Sequence, residues 1–259
     1  MTSNEPIGVF DSGVGGLAVV EQVRALLPNE DIQYYADRGH FPYGTKTQKE
    51  VQTLSIAAVE FLISKGSKLI VVACNTASAA ALPELRRQFK VPFVGIVPAV
   101  KPASLQTRNG KIGVIATEGT LHAEMFQALV DQFASGLEVV TVACPRLVEF
   151  VEEGRTDEPE LEAVLHSYLD PILEKEVDTL VLGCTHYSFL REAVERIAGP
   201  NVTVLETSRP VARQVQRLLQ EHDLLAGRSG EGIVTYHASG NVEAFNKVRD
   251  KLLSARPVK

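Results

Sequence analysis

Cysteine is scarce in this chain, clustered basic residues are missing, and no apolar run is long. The 259 residues hold three cysteines, an odd number without Cys-x-x-Cys spacing, which argues against both a disulfide framework and a structural zinc site. Free thiols in a reducing compartment are expected, with no metal. Lysine and arginine number 26 against 32 acidic residues, a net charge of −6, so no electrostatic grip on nucleic acid or anionic lipid is expected. No apolar stretch approaches the roughly eighteen residues that a membrane span needs. The opening Met-Thr-Ser-Asn-Glu-Pro has no positive segment ahead of an apolar core, so a cytoplasmic protein with no membrane partner is expected.

A hydrophobic content of 45% suits a soluble α/β enzyme with two modest cores. Apolar runs predict strands at Ile7 to Asp11, Ile32 to Asp37, Lys68 to Cys74 and Val91 to Val97, with helical patterns between them. A second series follows at Lys111 to Ala116, Leu137 to Ala143, Thr179 to Cys184 and Val202 to Glu206. The strand openings match, Gly8-Val9-Phe10-Asp11-Ser12-Gly13 against Gly113-Val114-Ile115-Ala116-Thr117-Glu118-Gly119. The pattern implies a duplication: two pseudo-symmetric, doubly wound α/β domains with mainly parallel sheets and an active site in the cleft between them. Pro98 and Pro102, flanking Lys101, mark the first crossing, and Ser208-Arg209-Pro210 the return. Domain one is then 1–98 plus 208–259, and domain two 99–207. The tail, read as helix Val211 to Glu221, strand Ile233 to His237 and helix Val242 to Leu253, offers no chemistry.

Two cysteines occupy near-duplicate settings, Leu-Ile-Val-Val-Ala-Cys74-Asn75-Thr76 and Leu-Val-Leu-Gly-Cys184-Thr185-His186, 110 residues apart. Each should project from the carboxyl end of a buried parallel strand beside a helix N-terminus, where a thiol ionises more easily. A single cysteine there would read as a small packing residue; the duplicated hydroxyl, amide and imidazole neighbours argue otherwise. Strand ends add Asp11, Ser12, Asp37, Thr117 and Cys144. Cys144 precedes Pro145, has no such neighbours, and reads as structural.

The glycines of Asp11-Ser12-Gly13-Val14-Gly15-Gly16-Leu17 lack the spacing of a dinucleotide fingerprint, and Asp11 would repel a pyrophosphate; a tight turn with close helix packing accounts for them. Asp37-Arg38-Gly39-His40-Phe41-Pro42-Tyr43-Gly44 could bind a carboxylate, or simply be a Pro-Gly turn with a packed tyrosine. Glu152 lies in an acid-rich stretch with Glu149 and Glu153, where a solvated face is the ordinary expectation. His40, His122, His166, His222 and His237 show no metal-ligand spacing.

Taken together, Gly8 to Leu17, Pro42-Tyr43-Gly44, Ala73-Cys74-Asn75-Thr76-Ala77 and Gly183-Cys184-Thr185-His186-Tyr187 resemble the cofactor-independent glutamate racemases of bacterial cell-wall synthesis, in the aspartate/glutamate racemase superfamily. The resemblance implies a pseudo-symmetric α/β fold with glutamate in the cleft, no cofactor, a common homodimeric state and D-glutamate destined for peptidoglycan. It implies that Cys74 deprotonates the D-isomer and Cys184 the L-isomer. Asp11 and His186 would assist them, with lesser parts for Asp37 and Glu152. Asp11, Ser12, Pro42, Tyr43, Gly44, Asn75, Thr76, Thr117, Thr185 and His186 would bind substrate. The turn Thr207-Ser208-Arg209-Pro210 lacks the acidic residue that many relatives carry there. No long N-terminal extension of the kind that accompanies activation by a cell-wall precursor is present, so none is expected. Competing readings are a racemase of aspartate or another amino acid, an amidase with one nucleophilic cysteine, and a non-catalytic ligand-binding protein.

Overall fold

The computed structural model describes residues 2–255; Met1 and residues 256–259, the extreme ends of the expected domain one, lie outside them. The first half comprises β1 (Ile7–Asp11), α1 (Leu17–Leu26), β2 (Ile32–Ala36), a 3-10 turn (Arg38–His40), α2 (Gln48–Ser64), β3 (Leu69–Val72), α3 (Asn75–Gln88) and β4 (Phe93–Gly95). The second comprises α4 (Val100–Gln106), β5 (Lys111–Ala116), α5 (Glu118–Leu121), α6 (Glu124–Phe133), β6 (Glu138–Ala143), α7 (Pro145–Glu152), α8 (Pro159–Leu173), β7 (Thr179–Leu182), a 3-10 segment (Thr185–Leu190), α9 (Arg191–Ala198) and β8 (Thr203–Leu205). The tail adds α10 (Ser208–Glu221), β9 (Val234–Ala238) and α11 (Val242–Ser254). No helix among the described residues is long and apolar enough to cross a membrane.

Every strand pairing among the described residues is parallel, and the two sheets share one order: β4-β3-β1-β2, extended at one edge by β9, and β8-β7-β5-β6. Register repeats as well. Gly8 of β1 sits opposite Ile70 of β3, and Gly113 of β5 opposite Leu180 of β7. Both glycines are required by close approach. A Cβ on Gly8 would meet Ser67 and Ile70, and one on Gly113 would meet Ile172 and Leu180, in each case within 3.0 Å. The inner strands β1, β3 and β7 are buried along their whole length, as expected of parallel strands covered on both faces by helices.

The apolar interior is continuous between the halves, where two separate cores were expected. One cluster takes Ile7, Val9, Leu69 and Val71 from the first sheet and Ile115, Leu180 and Leu182 from the second, with helix residues such as Leu17, Val151, Leu165 and Val215 between them. Alternate residues point outward: Phe10, Ile70 and Val72 into a cluster under α2 and α3, and Ile112, Val114 and Val181 into one under α4 and α6. Each fully buried aliphatic side chain contributes about 1.5–3 kcal/mol. The shared layer therefore couples the halves through apolar burial.

Several boundaries move for local reasons. Cys74 and Cys184 leave the ladder early and become the residues before Asn75 and Thr185. Lys101 and Pro102 belong to the first turn of α4, and Ser208, Arg209 and Pro210 to the first turn of α10, so these prolines lie in helices and not in the connections before them. Proline is tolerated in a helix's opening turn because the N–H it lacks would have no intrahelical partner there.

Candidate active site

In a sheet of order β3-β1-β2 the chain departs from β1 in opposite directions, which opens a crevice beyond the carboxyl ends of β1 and β3. Asp11 and Ser12 end β1, and Cys74 follows β3. The second sheet repeats the arrangement at β5 and β7 with Thr117 and Cys184. Both thiols are nearly enclosed, Cys74 6% and Cys184 7% exposed.

Cys74 precedes the first turn of α3, where its Sγ accepts the Ala77 N–H at 3.5 Å, and it lies 3.6 Å from Ser12 Oγ. These bonds favour a thiolate, yet the expectation of easy ionisation fails here. Burial, reinforced by the charge of Asp11, pushes the Cys74 thiol up to about 12, because a helix terminus cannot offset removal of a charge from water. Asp11 itself is fully buried, and burial raises its pKa in spite of His186, the Gly13 N–H and Thr185. Its direct partners are Gly13 N at 2.7 Å and Thr185 Oγ1 at 3.1 Å, so it reaches across to the second half.

On the other side the expected helix N-terminus is a 3-10 segment, and α9 begins only at Arg191. Cys184 depends instead on a side-chain relay. Its Sγ lies 3.6 Å from His186 Nδ1, and His186 Nε2 lies 2.8 Å from Glu152 Oε1. Burial disfavours the His186 imidazolium, but the hydrogen bonds to Cys184 and Glu152 and the charges of Cys184 and Asp11 outweigh it, leaving the pKa well above 6.5. Glu152 is not on a solvated face. It closes α7 and is 5% exposed, while Glu149 and Glu153 point to solvent. Burial alone would raise its pKa, but His186, Val14 N–H (2.6 Å) and Arg38 hold it below 4.5. The spacing of Glu152 against its apolar neighbours Val148 and Val151 was the available signal, since all three share the buried side of α7.

The glycines of the first turn acquire a second purpose from this relay. A Cβ on Gly13 would overlap the Glu152 carboxylate, and one on Gly15 would lie 2.5 Å from His186 Nδ1 and 2.7 Å from Thr185 Oγ1. The turn is bare because side chains of the second half occupy the space. Tyr34 OH donates to the Gly13 carbonyl at 2.7 Å and pins the turn from below.

Further polar groups follow the same strand ends. Asn75 is 3% exposed and neither amide atom has a hydrogen-bond partner among the described residues, a cost of about 1–3 kcal/mol per group unless a ligand meets it. Thr76 Oγ1 lies 3.0 Å from Thr117 Oγ1 and 3.3 Å from Thr120 Oγ1, and the last two are 2.9 Å apart. Thr120 was not among the expected residues. It follows Thr117 by three positions around the short helix α5, a spacing that places both on one face.

Gly44 O accepts the Gly119 N–H at 3.1 Å, which docks the Pro42-Tyr43-Gly44 loop on α5. Pro42 itself is exposed, and Tyr43 is buried and donates to Asp37 Oδ2 at 2.7 Å. Asp37 also receives Ser239 Oγ at 2.7 Å and faces His40 Nδ1 at 3.0 Å, so it organises the loop without touching either sulfur. Ser239 follows β9, and the tail therefore helps to hold this loop through Asp37. Cys144 is fully buried, its thiol pushed up to about 12 by burial, and its carbonyl accepts Tyr187 OH at 2.8 Å. A cavity of about 610 Å³ between α1, α8, α9 and α10 includes none of these groups; the chemistry follows the side-chain geometry rather than this void.

Fold and site together define a two-halved α/β enzyme in which each half presents a thiol, one beside a hydroxyl and carboxylate and the other beside an imidazole–carboxylate pair. The Asp/Glu/Hydantoin racemase family model matches residues 16–215. The glutamate racemase of Herpetosiphon aurantiacus is 47% identical over 249 residues, covering 96% of this chain and 98% of that protein. The crystal structure of a glutamate racemase isoform from Bacillus anthracis superposes with a TM-score of 0.89 at 34% identity, covering 97% of this chain and 95% of that one. That of the Francisella tularensis glutamate racemase in complex with D-glutamate gives 0.84 at 32%, with 97% and 94% coverage. The chain belongs to the Asp/Glu/hydantoin racemase family. It is an isomerase, and the reaction it catalyses is the racemisation of glutamate.

Proposed function

We propose that Cys74 and Cys184 act as the two bases of this racemisation, one on each face of the glutamate α-carbon. The observation that carries the reading is the repeated register: each sulfur follows the corresponding strand of its half, yet each has a different set of partners. Inversion requires that the α-proton leave from one face and a proton return to the other, so one sulfur must start as thiolate and its opposite as thiol. A Cys74 thiol kept protonated by burial and an imidazolium beside Cys184 support a resting form ready for L-glutamate. Cys184 then takes the L-isomer's α-proton while Cys74 gives one up on the other face. For D-glutamate the roles exchange, and Asp11, whose own affinity for a proton is raised by burial, assists the deprotonation of Cys74 by accepting a proton.

The developing carbanion requires donors fixed around the α-carboxylate. Asn75, with its unmatched amide, and the Thr76–Thr117–Thr120 hydroxyls are assigned to the substrate carboxylates together with Ser12, Thr185 and the Pro42-Tyr43-Gly44 loop. Asp11 and His186 line the same space, and Asp37 holds the loop. We take residues 1–98 with 208–259 as one domain and 99–207 as the other, the enzyme being a cytoplasmic homodimer that makes D-glutamate for peptidoglycan.

Proton NMR in deuterium oxide with L- or D-glutamate, and aspartate as control, tests the assignment. Loss of the α-proton signal with inversion of glutamate is expected, and neither Cys74→Ala nor Cys184→Ala should racemise it. Full turnover by either variant would remove the two-base reading. Exchange on aspartate but not on glutamate would overturn the substrate.

A further inference from the structure

We propose that Arg38 is a positioning residue for the Cys184 side of the reaction, holding Glu152 so that its carboxylate presents one oxygen to His186. The inference rests on the two-thiol reading above. Arg38 lies in the 3-10 turn after β2 in the first half, whereas Glu152 is the last residue of α7 in the second. The guanidinium makes two bonds there: Nε to Glu152 Oε2 at 2.8 Å and Nη2 to the Glu152 carbonyl at 3.2 Å. The second bond meets a carbonyl at a helix C-terminus, which has no intrahelical partner and where a cation is favoured. Side chain and backbone of Glu152 are thus fixed by one planar group.

The consequence is geometric. With Oε2 held by Arg38, Oε1 receives both the Val14 N–H at 2.6 Å and His186 Nε2 at 2.8 Å, and His186 Nδ1 meets the Cys184 sulfur at 3.6 Å. Arg38 touches neither sulfur nor the substrate space between them, so its action passes through Glu152 and His186. Without it, a carboxylate that is 5% exposed loses its Oε2 partner and is held at Oε1 alone, so its orientation toward the imidazole is less fixed. Lysine, a compact ammonium without the planar fork, cannot hold the carboxylate and the carbonyl in the same fixed geometry.

The two enantiomers of glutamate have equal free energy, so kcat/KM must fall by the same factor in both directions, and a loss of rate alone does not locate the defect. Primary deuterium isotope effects do. With L-[2-²H]glutamate the isotope is on the bond broken by Cys184, and with D-[2-²H]glutamate on the bond broken by Cys74. Arg38→Met is expected to lower kcat/KM by about tenfold in both directions, the loss of one charge-assisted bond. It is also expected to raise the ratio of the L to the D isotope effect on kcat/KM, because the Cys184 step becomes the higher barrier. Arg38→Lys should recover part of both changes, and also serves if the methionine variant folds poorly, since isotope effects are independent of the active fraction. An unchanged ratio in both variants would overturn the proposal, whatever the rate. Parent enzyme lacking an isotope effect with either deuterated isomer, and active as Cys184→Ala, would instead refute the two-thiol reading on which it stands.

Discussion

Gly15→Ala isolates the idea that the first turn is bare to admit the second half. Gly15 is not in left-handed backbone, so alanine brings no conformational strain and the effect is purely one of space. Its methyl would lie 2.5 Å from His186 Nδ1, 2.8 Å from His186 Cε1 and 2.7 Å from Thr185 Oγ1, where ordinary contacts begin near about 3.5 Å. His186 must therefore retreat by about 1 Å, a misplacement that costs on the order of 100-fold in rate when it moves a reacting group. The loss of stability should be modest, about 1–3 kcal/mol as for other overpacked sites. Circular dichroism of L-glutamate consumption gives kcat, and thermal unfolding of the same sample gives Tm. A large loss of kcat with a folded protein is expected. A variant within about threefold of the parent rate would refute the reasoning, because it would show that the His186 position tolerates the shift.

Other perturbations probe separate parts of the molecule. The His186 pKa is raised, so its ion pair adds stability that is complete below pH 6.5 and fades as pH climbs through the folded value; the Glu152 pKa is depressed, so its contribution is present above 4.5 and fades as pH falls through the folded value. Glu152→Gln should accordingly flatten the acid limb of Tm against pH, and an unaltered limb would count against the pairing. Lys68 is fully buried and its Nζ reaches Glu30 Oε2 at 2.5 Å; Lys68→Met strands that carboxylate and should lower unfolding free energy by about 3 kcal/mol or more, with kcat of the folded fraction unchanged. Ser239→Ala removes a donor to Asp37 and should raise KM for glutamate by about fivefold, the worth of one hydrogen bond, with a smaller change in kcat and recovery in Ser239→Thr; an unaltered KM would separate the tail from the substrate loop.

Apolar runs were enough to place the nine strands of the described residues, most plainly β1, β3 and β7, because a parallel strand covered on both faces has no polar residue to hide. The repeat of Gly8 in Gly113 and of Cys74 in Cys184 was legible for a related reason: the same close approach and the same strand end recur in each half. What periodicity could not reveal was the environment of a charge. Spacing puts Glu152, rather than Glu149 or Glu153, on the apolar side of α7, but only the packing of α7 against the first turn decides that this side meets His186, Val14 and Arg38. The ease of ionisation expected for Cys74 failed likewise, since helix position is a local property whereas desolvation depends on everything folded over the sulfur.

The sequence by itself determined the parallel α/β architecture, its internal duplication and the pair of thiols at matching strand ends, all of which follow from local pattern and spacing. Tertiary structure alone decided that the two halves share one apolar interior, that Arg38 turns from its loop to Glu152 and Ser239 reaches Asp37 from a tail without chemical motifs, and that Gly13 and Gly15 clear room for Glu152 and His186. Those facts depend on distances between residues as many as 202 positions apart, and such distances exist only once the chain has closed on itself.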